Sequence, residues 1–268
     1  MKRTIGIQLY SLREYSKTRQ DFIETIKRVA KIGYKIVEPA GLHDIPAKEF
    51  RSILDDLGLE MVSTHSPWAH TPADCQKIID ELGDLRLTNC VCGYGPNDFS
   101  DLDAIKRTAD NTNAMLEIFS KAGITLFQHN HAFEFDRIGG ELKYDIYLRM
   151  VPGVKLELDA YWTNNFGAES PVEMVKKFRD RMVLLHLKDG PFRQDANEQT
   201  YKNGILDRKI TLCPLGQGDM EIARLLEETP DSIKEVIVEH DYSNKEMWQT
   251  VTESYEYMTK NGFCVGTV

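Results

Sequence analysis

The sequence predicts an α/β fold, a closed (β/α)8 TIM barrel, as a single domain over residues 1–268. Three observations carry this prediction. The chain has 268 residues, close to the ~250 typical of such a barrel. A unit recurs in which an amphipathic helix runs into a glycine and then a short apolar strand: V-A-K-I-G-Y-K-I-V-E, L-D-D-L-G-L-E-M-V-S, S-K-A-G-I-T-L-F-Q and M-V-P-G-V-K-L-E-L. Finally, eight apolar runs alternate with helical patterns, which calls for a parallel sheet with crossovers.

The strands fall at residues 4–9, 35–38, 60–65, 89–92, 124–130, 155–159, 182–188 and 235–239. Each is a short apolar run bounded by turn residues. Helical patterns lie between them, at 21–32, 47–57, 71–82, 102–121, 170–178, 221–228 and 245–261, with a weaker one at 144–150. Ser170-Pro171 is a helix start signal, with proline in the first turn. Gly33, Gly58, Gly123 and Gly153 stand where a helix closes on a left-handed residue, which glycine adopts without steric cost. No G-x-G-x-x-G follows the first strand, which argues against an open dinucleotide-binding sheet. The irregular stretch 189–214, with Gly190, Pro191, Asn197, Asn203 and Gly204, follows a strand and reads as a lid or binding loop on the functional face.

Composition narrows the function. The net charge of −9 disfavours nucleic acid and anionic membrane, which need clustered Lys and Arg. No apolar run approaches the ~20 residues of a membrane span. The start, M-K-R-T-I-G-I-Q-L, has no signal-peptide apolar region, so a cytoplasmic location is expected; a leader removed just ahead of the first strand would leave the same start. Cys75, Cys90, Cys92, Cys213 and Cys264 are too few and too scattered for a disulfide framework or a paired-cysteine metal site, and read as free thiols of a reducing compartment.

The strand ends carry the chemistry. In such barrels the site is built where strands end and the following loops begin. Read in order, those ends give Gln8; Glu38; His65; Cys92; Gln128, His129, Asn130, His131 and then Glu134; Glu157 and Asp159; His186, Lys188 and Asp189; and Glu239, His240 and Asp241. Of seven histidines, only His43 and His70 fall elsewhere. Singly, Gln8, Glu38, His65, His131 and Glu134 also suit strand-end or loop-capping roles, and Trp162 suits packing. Asp159, His186 and Glu239 together resist that reading, because burying unpaired charge costs several kcal/mol per group. A mixed carboxylate and imidazole set suits a divalent metal such as Mn, Mg, Co or Zn.

These residues resemble the sugar phosphate isomerase/epimerase group of xylose isomerase-like TIM barrels. The matching segments span nearly the whole chain: G-I-Q-L-Y-S-L-R at 6–13, H-N-H-A-F-E-F at 129–135, L-E-L-D-A-Y-W at 156–162, L-H-L-K-D at 185–189, P-L-G-Q-G-D at 214–219 and V-E-H-D at 238–241. The resemblance implies a divalent metal held by Glu, Asp, His and Glu from the last four strands. Asp159, His186 and Glu239 match by motif. The first position departs, with His129 where a relative has glutamate. Either His129 replaces that ligand, or Glu157 supplies the carboxylate, or Glu134 reaches back. The metal set expected is His129, Asp159, His186 and Glu239.

The resemblance also implies a metal-dependent sugar isomerase or epimerase working through an enediolate of a keto- or hydroxy-sugar. Glu157, Glu239, Lys188 and His65 are the acid/base candidates. Gln8, Glu38, His131, Trp162 and Trp68 are the substrate-binding candidates, the tryptophans as stacking faces. P-L-G-Q-G-D has no Lys or Arg to cradle phosphate, so an unphosphorylated sugar is favoured. The alternatives are a metal-dependent lyase or dehydratase on a keto-sugar or 3-keto-glycoside, a non-catalytic sugar-binding barrel, and an apurinic endonuclease-like nuclease, which the charge opposes. The partner expected is a small sugar, and a homo-oligomer is compatible with all of this.

Overall fold

The computed structural model describes residues 2–192, 201–202, 205–206 and 211–267. Much of the binding loop expected at 189–214 lies outside them. Among the described residues, seven strands form the barrel wall: β1 (Arg3–Gln8), β2 (Ile36–Glu38), β3 (Asn89–Cys92), β4 (Thr125–His129), β5 (Lys155–Asp159), β6 (Met182–Leu187) and β7 (Glu235–Val238). All pair in parallel. β1 lies between β2 and β7, and the ladder runs on through β6, β5 and β4 to β3. A short β8 (Cys264–Val265) adds to the start of β1.

The strand expected at 60–65 differs. It makes one backbone bridge, Glu60 to Ile36, and is otherwise irregular chain between β2 and β3, with the His65 amide donating to the Pro39 carbonyl at 2.8 Å. Side chains replace its ladder. Asn89 Nδ2 donates to the Val62 carbonyl at 3.0 Å. The Thr64 hydroxyl donates to the carbonyls of Pro39 and Ser66 at 3.2 and 2.8 Å. Ser and Thr compete with a ladder in this way, and here they close the seam of the barrel.

The helices are α1 (Arg19–Ile32), α2 (Ala47–Asp56), α3 (Cys75–Leu85), α4 (Leu102–Lys121), α5 (Lys143–Met150), α6 (Pro171–Phe178), α7 (Ile222–Glu228) and α8 (Met247–Lys260). Local signals start them. Thr18 and Asp21 form a capping box on α1, and Asp101 caps α4. Gly33 closes α1 at φ +116°, a left-handed conformation only glycine takes cheaply. Gly153 does not follow this pattern. α5 already ends at Met150, and Pro152-Gly153 form a turn instead.

The alternation of the strands sorts the interior. Leu156 and Leu158 on β5, and Leu185 and Leu187 on β6, are fully buried in the large apolar cluster that includes the helices. The residues between them face the other way, into the barrel. Deep inside, Val91, Phe127 and Leu184 form a small apolar plug. Two residues further along those same faces come His129 and His186. The barrel therefore turns from apolar to charged within one layer, at the C-terminal ends of its strands. All five cysteines are buried and free.

A candidate metal and sugar site at the strand ends

Strand register sets the pairings of the charged layer. Gln8 lies beside Glu38, His129 beside Glu157, and Asp159 beside His186. Glu157 is the hub of an inner group of imidazoles. Its Oε2 is 2.6 Å from His65 Nε2 and 3.3 Å from His129 Nδ1, and its Oε1 is 3.3 Å from His186 Nε2. Glu38 lies alongside. Its Oε2 accepts from the Gln8 amide at 2.8 Å and meets His186 Nε2 at 2.8 Å. The Ser63 hydroxyl donates to its other oxygen.

An outer group surrounds Lys188. Its Nζ lies 2.9 Å from Asp159 Oδ2, 2.8 Å from Glu239 Oε2 and 2.9 Å from Asp241 Oδ2. His186 Nδ1, 3.0 Å from Glu239 Oε2, joins the two groups. Asp159 is fixed from behind: the Trp162 amide donates to Oδ1 at 2.9 Å, and Asn130 brackets the Asp159 backbone at 3.0 and 3.1 Å.

Burial is the largest influence on every titrating group here, and it disfavours charge. Where it loses, the partner is visible. The His186 and His65 imidazoles hold Glu157 well below the usual carboxylate range. Lys188 and His186 do the same to Glu239. Conversely, carboxylates lift His65 and His186 above the usual imidazole value. Burial wins at Asp159, pushed up to about 6 despite Lys188, and at His131, pushed down to about 3 with help from the Lys188 charge.

A cavity of about 500 Å³ opens above the charged layer, within the ~300–1,000 Å³ of small-ligand sites. His65, His129, His131, Lys188, Glu239 and Trp162 line it, and so does Trp68. Gly93 permits the placement of Trp68, since a Cβ there would collide with its ring. Lys188 Nζ is 5.2 Å from the Trp162 ring centre, a cation–π contact.

The donor atoms fit a divalent metal in two overlapping ways. His129, Asp159, His186 and Glu239 place donors within 4.8 Å of one another, and so do His65, His129, Glu157 and His186. Buried His129 Nδ1, Glu157 Oε1 and Asp159 Oδ2 have no directed hydrogen bond, as expected of atoms meant for a cation.

The expected site residues are thus brought together, in two tiers. Glu239, Lys188, His65, His131, Trp162 and Trp68 line the cavity. Gln8, Glu38, Glu157, Asp159 and His186 lie behind that lining, where Gln8 and Glu38 orient imidazoles. Glu134 does not reach back; it accepts the His131 amide at 2.9 Å and the Gln128 amide at 3.3 Å. His240 turns away to Ser254 at 3.1 Å. Asp189 is structural, accepting the amides of Gly190, Gly216, Gly218 and Met220 at 2.8–3.1 Å. The P-L-G-Q-G-D segment is therefore a clasp on Asp189. Sequence reasoning did not assign Tyr10, Arg13, Tyr94, His70 and Tyr242, which complete the cavity wall. Only the place of Arg13 and Tyr10 in the G-I-Q-L-Y-S-L-R segment hinted at them.

Solved structures share the fold at low identity. A sugar phosphate isomerase/epimerase from Parabacteroides distasonis superposes with a TM-score of 0.72 at 23% identity, covering 98% of this chain and 96% of that one. An L-ribulose 3-epimerase gives 0.70 at 14%, covering 98% and 95%. A probable 3-DHS dehydratase from Bacillus anthracis gives 0.72 at 13%, covering 96% and 98%. No curated protein matches. The model of the xylose isomerase-like TIM barrels matches residues 26–259, and the chain belongs to that family.

Proposed function

We propose that the chain is a metal-dependent sugar isomerase or epimerase acting on an unphosphorylated keto- or hydroxy-sugar. The observation that carries this is the layered strand-end cluster, with a charged Lys188–Glu239 pair facing a sugar-sized cavity that two tryptophans line. Membership of a family with sugar isomerases and epimerases among its structural neighbours supports it.

A divalent metal would be held by His129 and His186 with carboxylates from one side or the other, either Asp159 and Glu239 or Glu157 with His65. When bound it supplies a Lewis acid that polarises adjacent substrate oxygens. The protein's own groups do the rest. Trp68 and Trp162 flank the sugar and exclude water. Glu239 Oε2 takes the proton next to the carbonyl, and Lys188 Nζ, 2.8 Å from that oxygen, meets the negative charge that develops on the substrate. His131, kept neutral, offers a hydrogen bond to a substrate hydroxyl. His65 stands at the third position around the barrel and Lys188 at the seventh, so groups on both sides of the sugar can return a proton. Return to the opposite face gives an epimer, and return to the neighbouring carbon gives an isomer.

The test is incubation with unphosphorylated keto-sugars and 3-keto-glycosides in D₂O with Mn, Co, Zn or Mg, read by mass spectrometry. An isomeric product one mass unit heavier, carrying one deuterium and lost in Glu239→Gln, is expected. Loss of water or an aglycone would replace the isomerase reading by a lyase. No deuterium entering any sugar would overturn both.

A further inference from the structure

We infer that the metal of this site sits in the histidine-rich group, on His65, His129, Glu157 and His186, with Lys188 serving as the fixed cation of the carboxylate group beside it. This rests on the proposed function's premise that the cluster holds a metal, and it selects the class of metal.

The two candidate groups share His129 and His186, so the choice turns on the remaining pair in each. Asp159 and Glu239 are already spoken for. One buried ammonium, 1% exposed, lies 2.9 and 2.8 Å from them. A divalent ion placed between those carboxylates would stand against that ammonium in a poorly screened interior, where like charges repel strongly. Asp241 and the Trp162 ring hold Lys188 from its other sides. Glu157 has no such partner. Its side chain is wholly buried, and its ion-pair partners among the described residues are imidazoles, which ligate as well as they hydrogen-bond. The second carboxylate nearby, Glu38, shares His65 and His186 with it and adds negative charge to the same group. His65 Nε2, His129 Nδ1 and His186 Nε2 all turn toward its two oxygens at 2.6–3.3 Å. Both His129 Nδ1 and Glu157 Oε1 are buried without a directed hydrogen bond, whereas Asp159 Oδ2, the third such atom of the two groups, already faces the Lys188 ammonium at 2.9 Å.

A carboxylate outside the group holds one ring, and stacking within the group aligns two. His186 gives its Nδ1 side to Glu239 at 3.0 Å, the carboxylate–histidine arrangement that fixes a ligating ring. Stacking of the His65 and His186 rings at 5.4 Å and 3° fixes their relative orientation. Three imidazoles and one carboxylate suit Zn²⁺, Co²⁺ or another borderline transition ion, while Mg²⁺ prefers oxygen donors. This placement leaves Lys188 and Glu239 free of the metal, facing the cavity, and commits His65 to the metal instead of to proton return.

The experiment uses the full chain, stripped with chelator and titrated with Zn²⁺, Co²⁺ and Mg²⁺ alone by calorimetry. The parent and Asp159→Asn should bind one Zn²⁺ or Co²⁺, with Mg²⁺ far weaker. His65→Ala should lose affinity by more than the roughly 10–100-fold that removing a mere orienting partner costs. X-ray absorption of the Zn²⁺-loaded parent needs no variant, and should count three imidazoles. Two imidazoles, Mg²⁺ binding as tight as Zn²⁺, or affinity lost in Asp159→Asn but kept in His65→Ala would overturn the inference and leave the proposed function standing. A parent that binds none of the three ions would overturn both.

Discussion

Lys188→Met is the sharpest perturbation of the site, because it deletes one charge and keeps most of the apolar stem. The ammonium holds Asp159, Glu239 and Asp241 at 2.8–2.9 Å. Asp241 is 22% exposed, so water compensates much of its loss. Asp159 and Glu239 are buried, and the His186 imidazole would be left as the main nearby group to offset their charge. Breaking a buried pair from one side costs about 3–5 kcal/mol. At roughly 2–4 °C per kcal/mol for chains of 150–250 residues, the metal-free variant should melt roughly 6–20 °C below the parent. The loss should also depend on pH. Asp159 is already pushed up to about 6; without Lys188 it rises further. A carboxyl raised in the folded state contributes stability that is full below its unfolded value and is lost as pH rises through its folded value. The gap between variant and parent should therefore be wide at pH 8 and narrow at pH 5. Calorimetric melting of both proteins at the two pH values, with chelator present, checks it. A gap under about 1 °C at pH 8, or one unchanged by pH, would refute the view that this lysine neutralises the carboxylate group.

Three further outcomes are expected. Glu134 is wholly buried and pushed up to about 8 by that burial, so its stability contribution falls away as pH rises from about 4.5 toward 8. Glu134→Gln keeps an oxygen for the His131 amide and should gain on the parent by a few kcal/mol between pH 5 and 8, since each tenfold change in an acid's dissociation constant is worth about 1.36 kcal/mol; an equal denaturant midpoint difference at both pH values would count against it. Asp189→Asn sets an NH₂ against two of the four amides that Asp189 accepts, at about 1.5–3 kcal/mol per bond to a charged group, and limited proteolysis should then cut in residues 214–220 where the parent resists. Gly93→Ala drives a methyl into the Trp68 ring, so Trp68 should leave the cavity wall and the intrinsic fluorescence should shift, while the melting temperature of a metal-loaded sample moves less than in Lys188→Met.

What was legible in the sequence was periodicity. The glycine stops at 33, 58 and 123, the cap at Ser170-Pro171 and the apolar runs located seven of the eight strand positions and every barrel helix. The position at 60–65 failed as a regular strand because its apolar half, M-V at 61–62, is too short to set a ladder. Ser63 and Thr64 then spend their hydroxyls on Glu38 and on Pro39. Gly153 misled because a glycine after a helical pattern signals a stop, but not whether the helix has already ended. Polar residues at strand ends marked the site for a general reason: nothing in a core requires them. The two tiers were not legible. Whether Glu38 faces a ligand or an imidazole is decided by the depth at which its strand ends, and sequence spacing carries no depth. Tyr10 and Arg13 reach the cavity from a 3-10 helix, Leu9–Tyr15, directly after β1, too short to show a periodicity, and Tyr242 from a loop, whose path no periodicity encodes.

The register of β4 and β5 gives the departure at His129 a physical form. His129 and Glu157 are ladder partners, side by side on the same inner face. A carboxylate expected on β4 has become an imidazole, and the strand beside it carries a carboxylate at the adjoining position. The layer thus has both an imidazole and a carboxylate there, one strand displaced. That displacement moves the negative charge away from Lys188, Asp159 and Glu239 and toward His65, across the barrel. A metal follows the negative charge that has no other partner. With Lys188 settled among Asp159, Glu239 and Asp241, Glu157 is left with imidazoles as its ion-pair partners, and His65, His129 and His186 are the donors within reach once a cation displaces their protons. The same shift separates two duties that one carboxylate could otherwise be asked to share: Glu157, behind the His65 and His129 that line the cavity, is placed to hold a cation, while Glu239 remains at the cavity wall beside a proton donor.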